Sequence, residues 1–270
     1  SGKLPDEIVA ILGAAGTLPE DIAAAVRAGR IGGKEVANWL NLQKNPFLSW
    51  IASISDPMKV RLIADARFFV TLGIELAVGC TMKMIAEVQQ RSKRNAFWKE
   101  IDFVASDMAL EFLGDFALVF LLCPIAQIAA PASAGVGGAL QKLPSFFLQA
   151  GGYTPQQRAA CFVYKAVMFW CVGFMTSVAG HSVTKALIEA RGGTTGHMAP
   201  VLDNSVQWGN FMGVSSNLRY QLLSSFEARL MPKLFPGFWV QSAVSTTLRL
   251  GNCFSGGVQW LMWARIMGLQ

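Results

Sequence analysis

Residues 103–130 read FVASDMALEFLGDFALVFLLCPIAQIAA, and this stretch decides the fold class. Asp107, Glu111 and Asp115 recur at every fourth position, so a helix stacks three carboxylates on one face. The rest of the stretch is apolar, and positions 116–141 carry no charge. Each acid near a bilayer centre costs roughly 2.5–3.5 kcal/mol on insertion scales. Such a face turns away from lipid, toward water, basic side chains or bound protons. Pro124 and Pro131 are expected to end or bend this helix.

Outward from this stretch the pattern repeats. Residues 68–88, 159–180, 204–225 and 238–263 are further candidate spans, the last rich in Trp239, Trp260 and Trp263, a residue enriched at membrane interfaces. A loop with a short interfacial helix is expected over 132–158. The bulk numbers agree: 270 residues, 53% apolar, only 15% charged, with a mean hydropathy of +0.39. An ordinary soluble domain carries about 25% charged residues. The expected fold is all-α: a polytopic transmembrane bundle of about five spans, with four to six open, over 61–270. Residues 1–60 differ. Leu4-Pro5-Asp6-Glu7-Ile8 recurs as Leu18-Pro19-Glu20-Asp21-Ile22, and proline followed by two acids starts a helix. Two or three short amphipathic helices are expected there as a soluble or interfacial cap, and a further helix opens at Ser55-Asp56-Pro57.

Charged and polar residues inside the spans are the candidate functional set. Glu75 adds a fourth acid, and Lys83, Lys165, Arg219 and Arg249 are the bases. Two arrangements stay open: internal ion pairs that hold the bundle, or a polar route for a charged solute or protons. Gly209, Gly213, Asn217 and Gln221 follow at steps of four, so small residues admit a neighbouring helix and amides continue the same face. In the last span Arg249 and Asn252 lie near the middle, and Gly256-Gly257 favours tight packing or local unwinding. The solute or ion pathway is therefore assigned to Glu75, Asp107, Glu111, Asp115, Lys165, Asn217, Arg219, Gln221, Arg249 and Asn252.

Other chemistry is poorly represented. Gly29-Arg30-Ile31-Gly32-Gly33-Lys34 has the wrong spacing for a phosphate-binding loop. Ser182 and Lys185 form a bare SxxK. Five scattered cysteines and two histidines, His181 and His197, match no zinc pattern. No enzyme, cofactor or metal is expected. The net charge of +6 suits anionic headgroups or an anionic ligand, and no nucleic-acid motif accompanies it.

Several blocks resemble one family: LPEDIAAAVRAG at 18–29, RLIADARFFVTLGIELAVG at 61–79, FWKEIDFVASDMALEFLGDFALV at 97–119, SVTKALIEARGG at 182–193, GVSSNLRYQLL at 213–223 and LRLGNCFSGGVQWLMWARIMGLQ at 248–270. On these blocks the chain resembles the RETICULATA-related plastid proteins of plants and algae. The resemblance implies a plastid inner-envelope membrane protein, imported with loss of a transit peptide. The chain's start at Ser1-Gly2 rather than Met is expected of either a processed chain or a fragment. It also implies links to leaf mesophyll development and, for some members, transport of amino acids, notably basic ones. The expected function is therefore transport of a small metabolite such as a basic amino acid across the inner envelope. The expected partners are membrane lipids, the solute, and a second copy or a larger membrane complex. The alternative is a non-catalytic accessory or scaffold subunit of such a complex.

Overall fold

The computed structural model describes residues 6–12, 18–93, 95–129, 136–194 and 199–269, and every regular element among them is helical. Leu4, Pro5, Pro131 and His197, singled out above, lie outside the described residues. In chain order the helices are α1 (Asp6–Leu12), α2 (Glu20–Arg27), α3 (Gly33–Gln43), α4 (Pro46–Ile54), α5 (Asp56–Ala64), α6 (Phe68–Ser92), α7 (Ile101–Leu122), α8 (Val136–Gln141), α9 (Pro155–Ala190), α10 (Val201–Phe211), α11 (Asn217–Arg229), α12 (Met231–Leu234) and α13 (Phe238–Ile266). The chain divides into two compact units, residues 1–69 with 123–145, and residues 70–122 with 146–270.

The first unit holds α1–α5 and α8. As the repeat predicts, α2 begins directly after Pro19 with Glu20 and Asp21 in its first turn, where acids meet the positive helix end. Gly29, at a φ of 66°, turns the chain out of α2 in the left-handed region. Asn45 caps α4 by accepting from the Phe47 and Leu48 N–H groups at 3.1 and 3.2 Å. Ser55 stands at the start of α5, but its side chain makes no capping bond. The core packs Ile8, Ile22, Val26, Val36 and Ile63 with Ala126 and Ile128. The helix stops at Leu122, as expected of Pro124, so residues 123–129 of the 103–130 stretch lie outside it. Ala126 donates its N–H to the Val60 carbonyl at 3.0 Å, and Arg30 donates to the Ile128 carbonyl at 2.7 Å.

One exposed ion pair ties α2 to α5: Lys59 Nζ lies 2.6 Å from Asp21 Oδ2. Burial raises the Asp21 carboxyl, but the Lys59 hydrogen bond and charge, with the Ile22 N–H, outweigh it and hold the group below its ordinary 3.8. A carboxyl depressed in the folded state contributes stability above its unfolded value, and that stability is lost as pH falls through the folded value. Lys59→Ala is therefore expected to lower stability by less than about 1 kcal/mol at neutral pH. In thermal melts the difference from wild type vanishes once the pH falls below the folded-state value of Asp21. A difference that persists in acid excludes the pair as its source.

The second unit holds most of α6 with α7 and α9–α13. α9 is built to start sharply. Thr154 accepts from the Gln157 N–H at 3.2 Å, the Gln157 side chain accepts from the Thr154 N–H at 2.8 Å, and Pro155 opens the helix. Over its 36 residues it spans about 54 Å and packs against α7 and α10. The small-residue step in α10 serves that approach. A Cβ at Gly213 would lie 3.0 Å from the Ala166 carbonyl oxygen, and one at Gly209 would lie 3.0 Å from Trp170 Nε1. Between α10 and α11 the chain stays helical but widens into a π segment, Met212–Ser216. α13 runs unbroken from Phe238 to Ile266, so Gly256-Gly257 does not unwind it. The departure from regular α-helix lies instead between α10 and α11, where Gly213 sits against the Ala166 backbone. Leu118, Leu122, Phe146, Phe169 and Met212 form the apolar cluster of this unit.

Among the described residues two helices, α6 and α9, are long and apolar enough to cross a membrane by length and composition. Within the structure, 28% and 22% of their most apolar stretches is buried.

Candidate functional site

Glu75 and Gly79 lie one turn apart on α6, and this shared face is where α7 brings its acids. A Cβ on Gly79 would collide with the Asp115 carboxylate and lie 3.2 Å from Glu111 Oε1, so glycine there makes the room that the acids occupy. Asp115 is 7% exposed, and its Oδ2 has no hydrogen-bond partner among the described residues. Neither Glu111 nor Asp115 has an ion-pair partner among them. Asp107, two turns away on α7, is paired: Lys83 Nζ stands 3.4 Å from it and 3.1 Å from Glu87. The pairing continues outward through Glu87–Arg91 and Arg91–Glu100, the latter at 3.0 Å.

These acids line a cavity of about 550 Å³, a volume typical of small-molecule sites. α9 contributes Thr176, Ser177 and His181, α10 contributes Asn204 and Trp208, and α13 contributes Asn252 and Trp260. Arg219 and Tyr220 enter from α11. The π segment sets its wall with Met212 and Ser216; such wide turns recur at functional sites. Arg219 is firmly held. Its Nη1 donates to the Asn252 carbonyl at 2.9 Å and to Asn252 Oδ1 at 2.7 Å, and Nη2 donates to Ser216 Oγ at 3.1 Å. Gly256 leaves space for the guanidinium, since a Cβ there would lie 2.9 Å from Nη1.

Of the ten residues expected on a pathway, Asp107, Glu111, Asp115, Arg219 and Asn252 line the cavity. The other five do not line it and make buried contacts nearby. Glu75, 4% exposed, pairs with Arg249, 3% exposed, and accepts the Tyr220 hydroxyl. Arg249 also reaches Glu227, at 2.6 Å through Nη2 and 3.0 Å through Nε. Asn217 and Gln221 are fully buried and hold helices together. Asn217 donates to the Phe162 carbonyl at 3.2 Å, and Gln221 accepts from the Phe147 N–H at 2.8 Å and donates to Asn217 Oδ1 at 2.7 Å. Lys165 is buried and donates to the Leu121 carbonyl. That carbonyl belongs to the last turn of α7, which has no following N–H to satisfy it, and a cation there suits the negative helix end. The unit thus holds a buried ion-paired cluster of Glu75, Arg249 and Glu227 and a cavity lined by Glu111 and Asp115, which have no ion-pair partner among the described residues.

Glu227 and Tyr220 escaped the sequence reading. Glu227 lies just beyond the expected fourth span, yet it follows Tyr220 by seven residues, a spacing that puts both on one helix face. Among the described residues no group of three or more His, Cys, Asp or Glu side chains is arranged to hold a metal ion.

A family model described as Protein RETICULATA-related matches residues 60–226. Among curated relatives, Protein RETICULATA-RELATED 4, chloroplastic, of Arabidopsis thaliana is 33% identical over 94% of this chain and 69% of its own length. Protein RETICULATA-RELATED 1, chloroplastic, and Protein RETICULATA, chloroplastic, from the same plant, are each 30% identical over 94% of this chain. The chain spans 62% of the length of each of these two. No solved structure matches.

Proposed function

From the chain's membership of the RETICULATA-related family, we propose that it is an integral plastid membrane protein that carries a small cationic or zwitterionic metabolite across the inner envelope. A basic amino acid is the solute class that suits it. The chloroplastic names of its relatives support the plastid address. In this reading α6, α7, α9, the continuous α10–α11 run and α13 are five spans, and the protein works as a homo-oligomer or within a larger assembly. The carrying observation is the cavity, where Glu111 and Asp115 have no ion-pair partner among the described residues and share the lining with the Arg219–Asn252 pair.

The distribution of polarity supports a lipid surround. Inside the second unit Ser205, Asn217, Gln221, Ser245 and Arg249 are at most 3% exposed. Outside, Val163, Met175, Phe254 and Ile266 are 62–78% exposed. Water-soluble proteins bury the second kind of residue and expose the first.

A non-transporting subunit of a plastid membrane complex is the rival reading, favoured by the broad apolar surface of α13, where Trp239 is 82% exposed. Uptake separates them. Vesicles reconstituted with the protein are expected to accumulate labelled lysine or arginine. Asp115→Asn and Glu111→Gln, checked for unchanged melting, are expected to cut the rate about tenfold or more. Absent uptake, or uptake indifferent to both substitutions, rejects the carrier. Stoichiometric co-purification with a larger complex then favours the subunit.

A further inference from the structure

We infer that the cavity holds its solute in one orientation, with an ammonium group on Asp115, a carboxylate on the side-chain amide of Asn252, and any second cationic group along the acid row at Glu111. This assignment rests on the carrier reading above and gives each pole of the solute its residue.

Three buried polar atoms of cavity-lining residues have no partner among the described residues: Asp115 Oδ2, Asn252 Nδ2 and His181 Nδ1. Buried polar atoms are nearly always satisfied, so three orphans around one cavity mark where a ligand completes the bonding. Their chemistry is complementary. Asp115 offers carboxyl oxygens, is more than nine-tenths buried, and has no ion-pair partner among the described residues; an ammonium donor fits it. Asn252 is oriented by its neighbour. Arg219 donates to Oδ1 at 2.7 Å, which commits that oxygen and leaves Nδ2 as the free donor. The Arg219 guanidinium, attached to the same amide, adds positive charge beside that donor, a combination that suits a carboxylate. Gly79 and Gly256 keep the two poles open, since a side chain at either would press on the Asp115 or Arg219 head group.

The two acids stand close together: both carboxylates reach the Cβ position of Gly79, although their backbones are about 6 Å apart along the helix axis, so two cationic groups of one short chain can meet them. The α- and side-chain nitrogens of an extended lysine are roughly 7 Å apart by standard bond lengths. Arg219 acts as a positioning residue, through the amide it holds.

The test is equilibrium binding to the full chain in detergent, read by quenching of tryptophan fluorescence from Trp208 and Trp260 or by titration calorimetry. Wild type is expected to bind L-lysine about tenfold or more tightly than 1,5-diaminopentane, the same chain without the carboxylate. Asn252→Asp retains an acceptor for Arg219 but replaces the free donor with a carboxylate oxygen. It is expected to weaken lysine at least tenfold and leave diaminopentane unweakened. Asp115→Asn is expected to weaken both. Equal affinity of wild type for the two ligands, or an Asn252→Asp variant that shifts both alike, overturns the assignment; so does a wild type that binds no lysine. The wild-type comparison stands even where a variant fails to fold. Selective binding in detergent without vesicle uptake sinks the carrier reading and keeps the assignment. Uptake without selectivity does the reverse.

Discussion

Replacing Arg249 with alanine is expected to destabilise the second unit by about 3–5 kcal/mol, seen as a large drop in the detergent melting temperature followed by circular dichroism. Arg249 is 3% exposed and serves two carboxylates at once, Glu75 and Glu227. Ser245 and Tyr220 donate to the same acids. Without the guanidinium, two negative groups stay in an interior that cannot solvate them. The cost measures the stranded charges more than the pair's net worth, because desolvating the ions already offsets much of their attraction. A second result follows. Neutralising all three positions, as Glu75→Gln, Glu227→Gln and Arg249→Met together, is expected to recover most of the loss. If the single substitution costs less than about 1 kcal/mol, the cluster is not sealed from water as the structure shows it.

Gly213→Leu is expected to cost about 1–3 kcal/mol or more through overpacking. The added Cβ would meet the Ala166 carbonyl oxygen at 3.0 Å and Trp170 Cβ at 3.4 Å. The first is backbone inside α9 and moves only if the helix moves. Gly257→Ala is the control. Nothing lies within 4 Å of a Cβ there, and alanine favours a helix over glycine by roughly 1 kcal/mol. Melting in detergent should therefore fall for the first and hold or rise for the second. A Gly213→Leu protein as stable as wild type removes close α9–α10 packing from the account.

Much of this was written in periodicity. The four-residue step of Asp107, Glu111 and Asp115 placed three acids on one face of α7, and the structure puts all three on one cavity. The Gly209–Gly213 step announced a close helix neighbour, and α9 is that neighbour. What escaped was set by tertiary contact. Nothing local marks Lys165 as the group that satisfies the Leu121 carbonyl, because the need arises only where α7 stops. Residues 123–129 look like more of the same apolar span. Their place in the core around Ile63 and Val36 depends on pairing with Val60 and Arg30, far away in sequence. Glu227 was hidden by a boundary drawn at hydropathy, although its partner Arg249 had been singled out as a buried base.

The wide turn at Met212–Ser216 sets a phase for everything after it. Each residue advances a helix by about 100°, so the one residue accommodated there decides which way Arg219, Tyr220 and Glu227 face. Wound as a regular α-helix, the same sequence would rotate all three off Asn252, Glu75 and Arg249 together. A wide turn in a single helix thus works as a clocking device, bringing the cavity-lining cation and the buried ionic cluster into register by one local adjustment.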